Sequence, residues 1–348
     1  MIDPHVHFRD GSQSNKETIC HGLAVAKKCG VSAVFDMPNI APPLTGEEQI
    51  QKRFKLADKA GSDVFYGLYM GLTDNRAQIA HACRTYESFP RVVGFKLFAG
   101  KSTGNMSVPD RNGQIRVFSA LKDEGYRGVV AVHCEKETLF QTEKWDSKRP
   151  SSHGDVRPPE AEIESVRDIL GIARETGFRG HVHICHVSCP GSLDVIDLYR
   201  NEENFHVSCG VTAHHLLLSS EMMKGPKGLL MKVNPPVRSE KIRVLMWRHF
   251  NAGRIDWIES DHAPHTLKDK MHPPYASGLP GLPILPALIS IFRKEGHKED
   301  FIREKTHNAV CRAFQLDLPY HPIHDILVTG EYEFDVYKFL YTGAIGLK

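Results

Sequence analysis

Short apolar runs rich in Val, Ile and Phe alternate along this chain with stretches of helical periodicity, and that alternation leaves few folds open to it. The runs cover residues 2–8, 31–38, 64–71, 92–98, 128–134, 181–187, 205–212 and 255–260. Between them the spacing predicts helices over 16–29, 47–60, 75–86, 114–124, 159–176, 191–200 and 240–251, many with a glycine near the end. Strands alternating with helices form parallel units, and eight in about 260 residues predict an α/β fold, a (β/α)8 barrel of the TIM type. An open doubly wound sheet is the alternative. No Gly-x-Gly-x-x-Gly turn follows the first run, so nothing points to a dinucleotide fold.

After about Gln315 the rhythm degrades. The pattern assigns residues 1–315 to the barrel and 316–348 to a C-terminal tail packed on it. The tail alternates apolar and polar residues around Gly330 and Gly343, which fits a few short strands or an extended wrap. Two connections are longer than the usual barrel loop, 100–113 and 145–159. Loops of that length are lids, binding loops or plain surface excursions.

Lys and Arg total 44 against 42 Asp and Glu, a formal charge of +2 with no basic run, so nucleic acid is not an expected partner. No cationic leader runs into an apolar stretch, and no stretch approaches about 18 apolar residues. A cytoplasmic protein without a membrane partner is expected. The eight cysteines, with no Cys-x-x-Cys pair, read as reduced thiols. Cys185 and Cys189 flank His186, but that spacing on a strand end suits zinc poorly.

Side chains alternate along a strand, so His5 and His7 project together and Arg9 follows in the same parity. Two converging imidazoles suit a metal, or else are chance histidines on a half-buried strand. The guanidinium of Arg9 would stand at the rim as an anchor for a carboxylate. Barrel enzymes place their chemistry at the C-terminal ends of the strands. There the chain has Asn39 after the second run, Lys96 in the fourth, His133 in the fifth, His186 in the sixth and Asp261 after the eighth. Alone, His183 or His186 reads as a hydrogen-bonded core histidine, and Lys96 as a side chain reaching for water. Their shared rim argues for a site.

His5-x-His7-x-Arg9, Met37-Pro38-Asn39, Gly94-Phe95-Lys96-Leu97-Phe98, His133, His186-Val187-Ser188 and Asp261-His262-Ala263-Pro264-His265 together resemble the amidohydrolase superfamily and, within it, the dihydroorotase family. The resemblance runs from residue 3 to about residue 290. It implies a barrel with two zinc ions bridged by a carbamylated lysine and a hydroxide. His5, His7 and Asp261 would hold the more buried ion, His133 and His186 the other, and Lys96, as its carbamate, would bridge both. Asp261 would also move the proton. Arg9, Asn39 and His265 resemble the family's carboxylate-binding groups. Asn234, in Lys-Val-Asn-Pro-Pro, resembles a pocket residue of part of the family, or is ordinary turn chemistry.

The implied activity is the reversible cyclisation of N-carbamoyl-L-aspartate to (S)-dihydroorotate in pyrimidine biosynthesis, with that small molecule as partner and a homodimer as the assembly to expect. The alternatives are another cyclic amidase, an allantoinase or a dihydropyrimidinase, or an inactive barrel kept as an assembly partner. Arg9 argues against the first and the complete ligand set against the second. The loop 100–105 is a candidate lid, with Thr103 as a donor to substrate, or simply a solvated loop. Departures from the family are the start directly on strand one, the short tail, Ser260 where threonine is common, and Asp10-Gly11 in place of an acidic-Pro-Gly step.

Overall fold

A computed structural model describes residues 1–100, 106–324 and 326–341. The loop expected as a lid, with Thr103, lies outside the described residues. All eight apolar runs become strands: β1 (Ile2–Val6), β2 (Ala33–Asp36), β3 (Phe65–Gly71), β4 (Val92–Phe98), β5 (Val129–His133), β6 (His181–Ile184), β7 (His206–Thr212) and β8 (Trp257–Glu259). They pair in chain order, each neighbour parallel. Uniformly apolar runs suit parallel strands because both faces are covered, and β1, β2, β4 and β5 are buried throughout. A parallel bridge from Val6 to His262 joins the last strand to the first, so the sheet is a (β/α)8 barrel.

The main outer helices are α1 (Ile19–Lys28), α2 (Glu47–Lys59), α3 (Arg76–Ser88), α4 (Arg111–Asp123), α5 (Pro159–Thr176), α6 (Pro190–Asp197), α7 (Glu240–Asn251) and α8 (Leu285–Lys294). Local chemistry sets their ends. Thr18, Asn75 and Asp110 accept backbone N–H groups of the first turns of α1, α3 and α4. Proline opens α5 and α6, where its missing N–H is not needed. Gly177 closes α5 in the left-handed conformation. Sequence periodicity missed α8. Pro283 and Pro286 punctuate its start, yet a proline in the first helical turn displaces no hydrogen bond.

The core has two layers set by strand parity. On β5, Val130 and Val132 pack outward against the helices, while Val129 and Ala131 face the lumen. On β6, Val182 and Ile184 point out, and Cys185, just past the strand, points in. Phe314, from the short helix Ala309–Phe314, meets Phe35, Tyr69 and Trp257 and fills the lumen at the end where the strands begin. The opposite, C-terminal end is left for polar groups.

The tail differs from one of its two expected forms. Among the described residues it holds no strand, only the short helix Lys338–Tyr341, and otherwise runs as an extended wrap. Ile323, Val328, Phe334, Val336 and Tyr337 join the outer core. Their alternation with polar residues matches one face against the barrel without a partner strand. Among the described residues no helix is long and apolar enough to cross a membrane.

Candidate metal centre

His5 ends β1 one residue short of its last position, and His7 follows the strand. The two rings lie 5.2 Å apart. Asp261, just past β8, closes on both: its Oδ1 is 2.9 Å from His7 Nε2 and 3.4 Å from His5 Nε2. His133, the last residue of β5, brings its Nδ1 to 3.2 Å from His186 Nε2. The rings of His5 and His186 are 5.1 Å apart, so the two groups form one cluster. Lys96 of β4 lies beneath it, fully buried, its Nζ donating to Cys185 Sγ at 3.0 Å.

Regular alternation would send His186 outward, because Cys185 already faces the lumen. The backbone instead turns left-handed at His186, with φ 39°, and the imidazole swings into the cleft. Asp261 has φ 46°. Left-handed backbone is costly for residues with a Cβ, and its presence at two converging side chains is the kind of strain that functional sites carry.

Buried partners orient the imidazoles. Asn39 Oδ1 lies 2.7 Å from His7 Nδ1. Glu259 Oε1 lies 3.4 Å from His5 Nδ1, and this carboxylate also meets His183 Nε2 at 3.0 Å. Glu135 Oε2 accepts from His133 Nε2 at 2.9 Å and is itself gripped by both ends of the Arg157 guanidinium. With the far nitrogen of each ring taken as donor to its oxygen partner, His5 Nε2, His7 Nε2 and His133 Nδ1 turn lone pairs inward. Burial pushes His7 down to about 4, so it is neutral near pH 7. Burial, with His133 and His5 alongside, holds His186 well below the ordinary imidazole value. Burial alone would raise Asp261, but the His7 hydrogen bond and the nearby His5 hold it below the usual carboxylate range.

His5 goes the other way: burial and Lys96 would lower it, but Cys185 and Glu259 raise it to about 9. The neutral His7 and His186 beside an ionised Asp261 fit a cation. A neutral His7 has one N–H for two oxygen partners, Asn39 Oδ1 at 2.7 Å and Asp261 Oδ1 at 2.9 Å; a cation on Nε2 would leave Nδ1 to donate to Asn39 and would take the place of the hydrogen bond to Asp261. Ligand atoms about 2.0–2.1 Å from a tetrahedral zinc stand roughly 3.3 Å from one another. The His–Asp and His–His separations, 2.9, 3.4 and 3.2 Å, bracket that value. Among the described residues Lys96 has no carboxylate partner, which is expensive for a buried ammonium and less so for a modified amine.

The cleft above the cluster is lined by Arg9, Asn39, Asn234 and Phe98 and by a wall of Ala263, Ser277 and Gly278. Arg9 is 2% exposed, and its Nε and Nη1 have no hydrogen-bond partner. Asn234 Oδ1 lies 2.9 Å from His153 Nε2. His265 does not line the cleft itself; it is buried behind the wall, its Nε2 bonded to Ser277 O at 3.1 Å and its Nδ1 without a partner. Gly278 lets the wall approach this closely, since a Cβ there would come within 2.7 Å of Ala263 O and 3.0 Å of the His265 ring.

Apart from His265, the groups named from the sequence converge here; it missed Glu135, Glu259, Arg157 and the Ser277–Gly278 wall, and it set Cys185 aside on its spacing. A signal existed for two of them: Glu135 is two residues after His133 and Glu259 two before Asp261, sharing their parity. Cys189, by contrast, turns toward Glu162 and Ser192 and takes no part in the cluster.

No protein-family model matches the chain. Among curated proteins it is similar to the dihydroorotase of Thermococcus kodakarensis, 36% identical over 320 residues, 90% of this chain and 68% of that one. Among solved structures it is similar to the L-hydantoinase (dihydropyrimidinase) of Arthrobacter aurescens, with TM-score 0.80, 24% identity and 90% and 70% of the two chains covered. It is also similar to the dihydroorotase of Campylobacter jejuni, with TM-score 0.68, 20% identity and coverage of 92% and 84%. At those identities the two structures speak for the fold alone. The chain spans 68% of the length of the curated relative.

Proposed function

The chain belongs to the dihydroorotase family of amidohydrolases, and from that premise we propose that it interconverts N-carbamoyl-L-aspartate and (S)-dihydroorotate, the cyclisation used in pyrimidine biosynthesis. The observation that carries this choice is Arg9, a buried guanidinium at the cleft whose Nε and Nη1 have no hydrogen-bond partner among the described residues. A buried, unpaired cation costs several kcal/mol unless an anion arrives to meet it. Dihydroorotate carries a carboxylate on its ring; the hydantoin and dihydropyrimidine substrates of the related cyclic amidases need no such anchor.

In this reading His5, His7 and Asp261 would hold one zinc ion and His133 and His186 a second, and Lys96, if carbamylated on Nζ, would supply an anionic oxygen ligand to them. When bound, such ions lower the pKa of water and polarise a carbonyl oxygen. The chain's own groups do the rest. Arg9 receives the substrate carboxylate, with Asn39 and Asn234 on the same cleft and the free Nδ1 of His265 behind its wall. Asp261, kept ionised, takes the proton of the attacking water as oxygen bonds to the ring carbonyl carbon. As the carbon–nitrogen bond breaks, Asp261 returns that proton to the departing ring nitrogen, leaving a ureido group and a carboxylic acid that gives its remaining proton to solvent. Cyclisation runs the same path backwards.

The test pairs metal analysis with a substrate contrast. Unmodified protein should hold two zinc ions and turn over dihydroorotate in preference to dihydrouracil or allantoin. Arg9→Met should keep its metal while kcat/KM for dihydroorotate falls about tenfold to a few hundredfold, the worth of a charge-assisted hydrogen bond of roughly 1.5–3 kcal/mol. A preference for dihydrouracil, or indifference to Arg9→Met, sinks the assignment.

A further inference from the structure

A buried polar cluster on the tail side of the barrel has no part in the chemistry above. Glu17, between β1 and α1, is 4% exposed. Its Oε2 accepts from His262 Nε2 at 3.0 Å, and its Oε1 accepts from the Tyr332 hydroxyl at 2.6 Å. Tyr332 belongs to the tail, and its hydroxyl also stands 2.9 Å from His262 Nε2. The other nitrogen of His262, Nδ1, accepts the backbone N–H groups of Gly281 at 3.0 Å and Leu282 at 3.1 Å. An Nδ1 that accepts leaves Nε2 as the proton-bearing nitrogen, which fits its bond to the carboxylate. All polar positions of this ring are therefore used, and it cannot rotate without leaving several buried groups unpaired.

The backbone of His262 sits at the metal cluster. Its carbonyl accepts from His7 N at 2.8 Å, and the preceding residue is Asp261. An isolated parallel bridge joins His262 to Leu279, next to Gly278 of the cleft wall. A fixed His262 thus fixes two of the three groups that close on one cation position, His7 by a hydrogen bond and Asp261 by the chain. Asp261 has need of this, since its left-handed backbone relaxes unless its surroundings hold it.

We propose that Tyr332 is a positioning residue of the metal centre: the tail reaches back through Glu17 and His262 to hold His7 and Asp261 in their ligating geometry. The tail in this view is a working part of the site, acting from behind the ligands without touching substrate. The release arm of the test below rests on the metal reading; the exchange arm does not.

Tyr332→Phe keeps the ring, which packs edge-on to His262 and His21, and removes only the hydroxyl. Tyr320→Phe is the control, because that hydroxyl has no hydrogen-bond partner. Release of Zn2+ from loaded protein to a chromogenic chelator should be about tenfold faster in Tyr332→Phe, the low end of what losing a partner behind a metal ligand costs. Hydrogen exchange should rise at the amides of His7, Gly281 and Leu282, and Tyr320→Phe should change neither. Release and exchange like those of the unmodified protein overturn the proposal. If the unmodified protein binds no Zn2+, the metal reading fails and the exchange arm alone decides. If Tyr332→Phe does not fold, native-state exchange of the unmodified protein decides: residues 328–337 should open together with Gly281 and Leu282. Opening of the tail while those amides stay protected overturns it.

Discussion

A histidine gives a metal only the ring nitrogen that its other partner leaves free. In this chain the partners come from three kinds of place: a loop amide for His7, a neighbouring strand for His5 and the following loop for His133. The same logic separates the roles of Lys96 and Asp261. Lys96→Ala removes the group proposed to bridge, so most metal and activity should go, and small carboxylic acids that replace the carbamate should restore part of both. Wild-type turnover in that variant excludes the bridge. Asp261→Asn should abolish turnover, because an amide neither accepts the proton nor brings a charge to the cation. Assay beside metal analysis separates the two losses; activity with both ions bound refutes the proton-carrying role. At this scale the sequence was legible wherever regular parity held, as at His5 and His133. His186 was named there from its motif and its place at the rim, but strand parity could not aim it, since it faces inward only because its backbone departs from strand geometry.

At the scale of elements, two buried carboxylates, Asp36 and Glu17, brace the segment that follows β1. Asp36 of β2 accepts from Phe8 N at 2.9 Å and Tyr66 Oη at 2.6 Å and pairs with Arg53, whose Nη1 also reaches Arg9 O at 2.7 Å. The guanidinium of Arg9 is aimed by this clamp on its backbone. Glu17 does the corresponding work at α1. Burial alone would raise its carboxyl, but His262 and the hydrogen bonds from His21, His262 and Tyr332 lower it from 4.5 to about 2. A depressed acid stabilises the fold above its unfolded value and loses that stabilisation as pH falls toward the folded one. Acid unfolding should therefore show a loss between about pH 4.5 and 2, and Glu17→Gln should be less stable near pH 7 but flatter across that window. A parallel pair of curves, followed by urea midpoint against pH, counts against it. The strands were readable because buried parallel strands are continuous apolar runs. The clamps were not, since each joins residues from different elements, and the tail was half readable: its alternation reports one buried face without saying what covers it.

For the whole molecule the weakest line is the closure between β8 and β1. The other neighbouring strands share ladders of several paired residues, whereas this seam rests on the Val6–His262 bridge and a few hydrogen bonds: His7 N to His262 O at 2.8 Å, Ser260 N to Asp3 Oδ1 at 3.0 Å and Ser260 Oγ to His5 O at 3.3 Å. The groups proposed to hold one ion, His5 and His7 on one side and Asp261 on the other, straddle that seam. A ligand that binds only the folded state stabilises it by about 4 kcal/mol at a thousandfold excess over its dissociation constant. The stabilisation should be concentrated where the bound group ties two edges together. Chelator treatment should lower Tm, and exchange should rise first at the amides of His7 and Ser260, while those of Val130 and Val182 in the continuous ladders stay protected. Readdition of zinc should reverse both changes. A uniform rise across all strands means that the ion supports the barrel generally, and an unchanged seam with lower Tm places the stabilising contact elsewhere.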